Sequence, residues 1–133
     1  MSLKRNILDL RKRKEIVLQG GGEEAIKKQN AMGKLTARER IQGIVDAGSF
    51  HEYDMFVEHQ SKDFDMDKKV LHGDGVVIGT GTVYGEPVAI YAQDFTVAGG
   101  SLGLMHARKI TKIMDHALKM RMPLIGINDS GGA

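Results

Sequence analysis

Cysteine is missing altogether from the 133 residues, which excludes a disulfide framework and any thiolate metal site and fits a reducing compartment. No apolar run approaches the roughly 20 residues that span a bilayer, and the opening stretch Met1–Arg5 lacks the apolar core of a secretion signal. Histidine is scattered: His51, His59, His72, His106 and His116 stand at no metal-ligand spacing, and no metal site is expected. Internal repeats and low-complexity tracts are also missing. Together these absences lead to the expectation of a soluble, cytoplasmic protein. What is present is an ordinary globular balance, 41% apolar and 27% charged.

The net charge of +2 is unevenly placed. Lys4, Arg5, Arg11, Lys12, Arg13 and Lys14 face Asp9 alone, and Arg108, Lys109, Lys112, Lys119 and Arg121 face Asp115. Such helices can attract an anion, although a solvated helix face accounts for each one taken singly.

Leu3, Ile7, Leu10 and Val17 recur at helical spacing until Gly20-Gly21-Gly22. A second helix is expected over Glu23–Met32, stopped by Gly33. Thr36-Ala37-Arg38-Glu39 reads as a capping box opening a third helix, which carries Ile41, Ile44 and Val45 and is closed by Gly48. Residues 1–48 are therefore a helical segment, and 49–133 form a separate unit. In that unit Ser49–Val57 suits an edge strand and Glu58–Lys69 a polar loop. Val76–Val83 and Val88–Gln93 read as a hairpin around Tyr84-Gly85-Glu86-Pro87. Gly79 and Gly81 leave one face of the first hairpin strand bare, so something must approach it closely. A helix over Leu104–Met120 should bury Ile110, Ile113, Met114, Ala117 and Leu118. Met122-Pro123 breaks it, and Leu124–Ile127 suits a buried parallel strand. The order β-β-α-β ends on a turn with no following helix. The chain is thus expected to stop partway through its domain and to be inactive by itself.

Two glycine-rich loops carry the chemistry: Asp94–Gly103 after one strand and Asp129-Ser130-Gly131-Gly132-Ala133 after the next. Loops at neighbouring strand ends converge on one crevice, where main-chain N–H groups can face an oxyanion or a phosphate. Asp-Ser-Gly-Gly also surrounds the nucleophile of chymotrypsin-like proteases. Those folds are all-β with triad partners upstream, whereas here a basic helix precedes the motif. Asp63, Asp65, Asp67 and Asp74 resemble a calcium loop, but Lys68 stands where the turn glycine is needed and Asp74 replaces the bidentate Glu.

The string Gly33-Lys34-Leu35-Thr36-Ala37-Arg38-Glu39-Arg40-Ile41 is followed by Gly73-Asp74-Gly75-Val76-Val77 and Gln93-Asp94-Phe95-Thr96-Val97 with Gly99-Gly100-Ser101. Lys109-Ile110, Ile113-Met114-Asp115 and Asn128–Ala133 complete the series. Together they resemble the biotin-dependent acyl-CoA carboxyltransferase family, in particular its propionyl-CoA carboxylase β and methylmalonyl-CoA decarboxylase α branch, to which Asp54–His59 is also similar. The resemblance implies an α/β fold, a crotonase/ClpP-like spiral of ββα units preceded by short helices, with 49–133 as the first, incomplete part of the domain. It implies transfer of CO2 between biotin and the α-carbon of a short acyl-CoA through a thioester enolate held by main-chain amides. Gly131, Gly132 and Ala133 are the expected catalytic amides, with Gly99, Gly100, Ser101, Arg38 and Lys34 binding substrate. Biotin comes on a partner, either a biotin carboxyl carrier or biotin carboxylase subunit or the membrane decarboxylase subunits, and the complete subunit forms a homohexamer. Nucleic acid is not an expected partner. The competing expectations are a crotonase-fold thioester decarboxylase or hydrolase without biotin, and a non-catalytic module binding through its basic helices.

Overall fold

The computed structural model describes residues 2–133; Met1, where the expected helical segment begins, lies outside the described residues. Three helices come first: α1 (Leu3–Leu18), α2 (Glu23–Ala31) and α3 (Ala37–Ile44). A four-stranded sheet follows, with β1 (His51–Tyr53), β2 (Val76–Val83), β3 (Glu86–Gln93) and β4 (Leu124–Ile127) in sequential order. Helix α4 (Leu104–Met120) crosses between β3 and β4. The first three strands are antiparallel, and β4 runs parallel to β3 with Ile90 beside Ile125. β2, β3 and α4 thus make one ββα unit, returned by a crossover to the same sheet. No helix among the described residues is long and apolar enough to cross a membrane.

Both faces of the sheet are covered, which explains why β2 and β3 read as nearly continuous apolar runs. Val77, Val88, Ile90 and Ala92 point to one face and pack under Ala37 and Ile41 of α3. Val76, Ile78 and Ala89 point to the other, against Ile113 and Ala117 of α4. The bare position at Gly79 is filled by the chain leading into β1: a Cβ there would lie 2.2 Å from the His51 carbonyl oxygen and 2.8 Å from the Phe50 ring.

The ends of the elements follow local chemistry with four differences. The Thr36–Glu39 capping box is fully formed, with Thr36 Oγ1 accepting from the Glu39 amide and the Glu39 carboxylate from the Thr36 amide. Yet α3 stops at Ile44, because Val45 turns extended, and Gly48 belongs to the next turn. The hairpin is tighter than expected: Val83 pairs with Glu86, and only Tyr84 (φ 50°) and Gly85 (φ 79°) form the loop. Both lie in the left-handed region, as a two-residue type I′ turn requires, and the Asp46 carboxylate accepts both of their amides. On α4, Ile113 and Ala117 are buried, but Met114 and Leu118 are 42% and 79% exposed. Their place on the inner face is taken by His106 and Lys109, at 0% and 2%. Finally, β4 is the edge strand of the described sheet, so Leu124 stays 36% exposed rather than buried.

Candidate functional site

The two glycine-rich loops meet at the C-terminal ends of β3 and β4. The Gly131 amide donates to the Gly99 carbonyl at 2.9 Å, and the Leu102 amide to the Gly132 carbonyl at 2.9 Å. Gly100 is obligatory where they cross, because a Cβ would sit 2.4 Å from the Asp129 carbonyl oxygen. Gly132 (φ 138°) turns the chain, with its amide donating to Ser130 Oγ at 3.1 Å. The Gly131 amide is thus engaged in holding the loops together, and the Gly132 amide in closing its own turn. The Ala133 amide has no partner among the described residues, and Ala133 lines a cleft of about 570 Å3 with Leu71, Asp74, Val97, Ser101 and Leu102. A second, more open hollow of about 860 Å3 shares Leu71, Val97 and Ala98 with it and reaches Gly20-Gly21-Gly22.

The turn is clamped electrostatically at its first residue. Asp129 accepts from Lys34 at 2.8 Å and from Arg40 at 2.9 Å. Partial burial pushes the Asp129 carboxyl up, but the hydrogen bonds and charges of Lys34 and Arg40 outweigh it and hold the group below the usual carboxylate range. Lys34 also lies 4.3 Å over the Phe95 ring, tying the clamp to the other loop. Arg38 is not brought to the site. Its guanidinium makes a bidentate pair with Glu52 at 2.6 and 2.9 Å, which fastens α3 to β1. Arg40, which the sequence reading did not single out, joins Lys34 on the Asp129 carboxylate instead.

The opposite wall is the loop Gly73-Asp74-Gly75, three successive residues with φ of 65°, 48° and 75°. Left-handed backbone at a non-glycine such as Asp74 persists only when its surroundings over-determine it. Two buried residues of α4 do that. Lys109 Nζ donates to the carbonyls of Gly73 and Val76, and the His106 amide donates to Asp74 Oδ2 at 3.0 Å. Burial is the main reason the Lys109 ammonium is pulled down to about 8, with Glu52 and Asp54 opposing it. Lys109→Met leaves both carbonyls without a donor inside the fold. It should cost about 2 kcal/mol of local stability, seen as faster amide exchange across residues 72–77, and unchanged exchange there would contradict this role. The signal for both residues was in the sequence: extending the Ile113/Ala117 stripe two turns toward the helix start lands on Lys109 and then His106.

An α/β unit of this kind, with two glycine-rich loops converging at neighbouring strand ends, has the crotonase-like fold of carboxyltransferase domains. The chain belongs to the carboxyl transferase domain family, whose model matches residues 28–133. It is 53% identical over 125 residues to the propionyl-CoA carboxylase beta chain of Cereibacter sphaeroides, covering 94% of this chain and 24% of that protein. It is 52% identical over 129 residues to the methylmalonyl-CoA decarboxylase subunit alpha of Propionigenium modestum, covering 97% and 25%. The solved structure of hexameric transcarboxylase 12S with methylmalonyl-coenzyme A and methylmalonic acid bound superposes with a TM-score of 0.98 at 41% identity, over 100% of this chain and 26% of that one. The chain therefore spans about a quarter of the length of these relatives.

Proposed function

We propose that this chain builds the acyl-CoA side of a biotin-dependent carboxyltransferase acting on a short acyl-CoA such as propionyl- or methylmalonyl-CoA. The observation that carries the reading is the meeting of the two glycine-rich loops at one cleft, where the Gly131 and Leu102 amides tie them together and the Ala133 amide has no partner among the described residues. Removing a proton, or CO2, from the carbon next to a thioester puts negative charge on the thioester oxygen. A preorganised N–H in a cleft stabilises that charge without reorganising. The His59 and Asp74 side chains that line the cleft both take part in internal hydrogen bonds. Ser61 donates its amide to His59 Nδ1, so His59 Nε2 carries the proton and donates to the Lys69 carbonyl, and Asp74 Oδ2 is occupied by the His106 amide. That fits a reaction whose second substrate brings its own proton acceptor. Biotin, delivered by a partner subunit, supplies the ureido nitrogen that carries CO2 and that acceptor. The hollow running past Leu71 and Val97 to Gly20–Gly22 suits the elongated body of a CoA ester. A homohexamer, as in transcarboxylase 12S, and a cytoplasmic setting complete the proposal.

The deciding assay uses the complete subunit with methylmalonyl-CoA, with and without biotin. Turnover should require biotin. Thioester decarboxylation or hydrolysis at the same rate without it would favour a crotonase-fold enzyme of another kind.

A further inference from the structure

The Asp129 amide opens the turn, and a main-chain N–H can only donate. Its acceptor is Gln93 Oε1 at 3.0 Å, which makes the other end of that side chain the NH2 group. The NH2 lies 3.3 Å from His106 Nε2. Since NH2 can only donate there, Nε2 carries a lone pair and the ring proton sits on Nδ1. Nδ1 is 2.9 Å from the Asp74 carbonyl oxygen, which can only accept. Three hydrogen bonds between two main-chain groups of fixed polarity thus admit one assignment of the amide and one tautomer. Gln93 is 9% exposed and His106 0%, and neither is used in the chemistry above.

This relay joins the two walls of the cleft. We propose that Gln93 and His106 are positioning residues that hold the Asp129–Ala133 turn against the Gly73–Gly75 loop and so place the Ala133 amide at the thioester. The inference rests on the carboxyltransferase reading for the last clause alone. It has a chemical consequence. A proton added to His106 goes to Nε2 and faces the NH2 of Gln93, donor against donor. Turning the Gln93 amide moves the same conflict to the Asp129 N–H. The ring is faced by the Asp74 carboxylate and carbonyl from the loop, by neutral Gln93 from β3, and by Lys109 one turn along α4. Burial, first, and the Lys109 charge push the imidazole below its ordinary value, while the Asp74 hydrogen bond and carboxylate oppose them. The relay is therefore whole at neutral pH and is lost only as pH falls below the usual histidine range.

Replacing Gln93 by glutamate reverses the polarity. A carboxylate can accept both the Asp129 N–H and an Nε2–H, so Gln93→Glu needs the protonated ring that the parent rejects. The experiment is hydrogen exchange by mass spectrometry on peptides covering residues 124–133 of the complete subunit, corrected for intrinsic rates, from about pH 8 down to about pH 5, a span that brackets the usual histidine range. Biotin-dependent kcat and KM for methylmalonyl-CoA are followed in parallel. The parent turn should loosen on the acid side, with kcat falling more than KM rises. Gln93→Glu should stay protected and active there, and Gln93→Met, which removes both bonds of the relay, should loosen the turn by roughly tenfold at every pH, as expected for losing the one bond that reaches it at the usual net strength. A parent turn whose protection is constant over that range overturns the proposal even if no variant folds. So does a Gln93→Glu variant that keeps the parent's acid dependence. A turn that loosens as described while biotin-dependent turnover is unaffected supports the relay and counts against the catalytic reading of the turn.

Discussion

Replacing Ala133 by proline in the complete subunit should lower kcat/KM for the acyl-CoA about 100- to 1,000-fold, the loss seen when one oxyanion donor is removed from other enzymes. Proline deletes the N–H and little else. Gly132 before it tolerates the backbone restriction that proline imposes on its predecessor. The loop-to-loop bonds Gly131 to Gly99 and Leu102 to Gly132 do not use the deleted group. Ala133→Gly keeps the amide and should stay within about threefold of the parent, which separates loss of a donor from general loosening. If the proline variant also stays within that margin while folded and assembled, the turn is structural and the oxyanion is held elsewhere.

The largest effect on stability is expected at Gly79. Gly79→Val brings side-chain atoms into the His51 carbonyl and the Phe50 ring, where even a Cβ lies 2.2 and 2.8 Å away. Neither the β1 main chain nor the ring, packed against Val77 and Ile90, can withdraw without opening the core. Overpacking of this severity costs on the order of 3 kcal/mol, and the cheapest escape is to detach β1 from β2. That also disturbs the Arg38–Glu52 pair, since Glu52 sits opposite Gly79 in the ladder. Thermal denaturation should shift down by several degrees, with β1 amides exchanging first. An unchanged melting temperature would mean that the bare strand face is not the constraint described here.

Much of this was legible because it is local. Gly33 after α2, the Thr36–Glu39 box and the matched apolar runs of β2 and β3 act within a few residues, where propensity and pattern speak directly. The convergence of the glycine-rich loops also followed, since successive strands in one sheet deliver their ends to one edge. What escaped depends on partners far away in the chain. The two-residue hairpin holds Tyr84 at φ 50° because Asp46, from behind α3, accepts its amide. Arg38 is turned toward Glu52, which takes two of its guanidinium nitrogens. His106 and Lys109 look like part of a solvated basic face until Gly73, Asp74 and Val76 are seen to receive their protons. Which amide stays open is likewise invisible in Gly-Gly-Ala. It is settled by the Gly99 carbonyl and the Ser130 hydroxyl, which claim the other two.

Helix α1 has a mechanical side. It is 16 residues long, about 24 Å at 1.5 Å per residue, and its one buried side chain, Val17, lies in the last turn. Immediately beyond, the Gly21 amide is fastened to Thr96 Oγ1 at 3.0 Å, on the same loop that shapes the cleft. The arrangement is a lever with its fulcrum beside the hollow that reaches Gly20-Gly21-Gly22. A tilt of about ten degrees there sweeps Leu3 through about 4 Å at the far end. Whatever grips that far end therefore acts on the Thr96 loop with the full mechanical advantage of the helix.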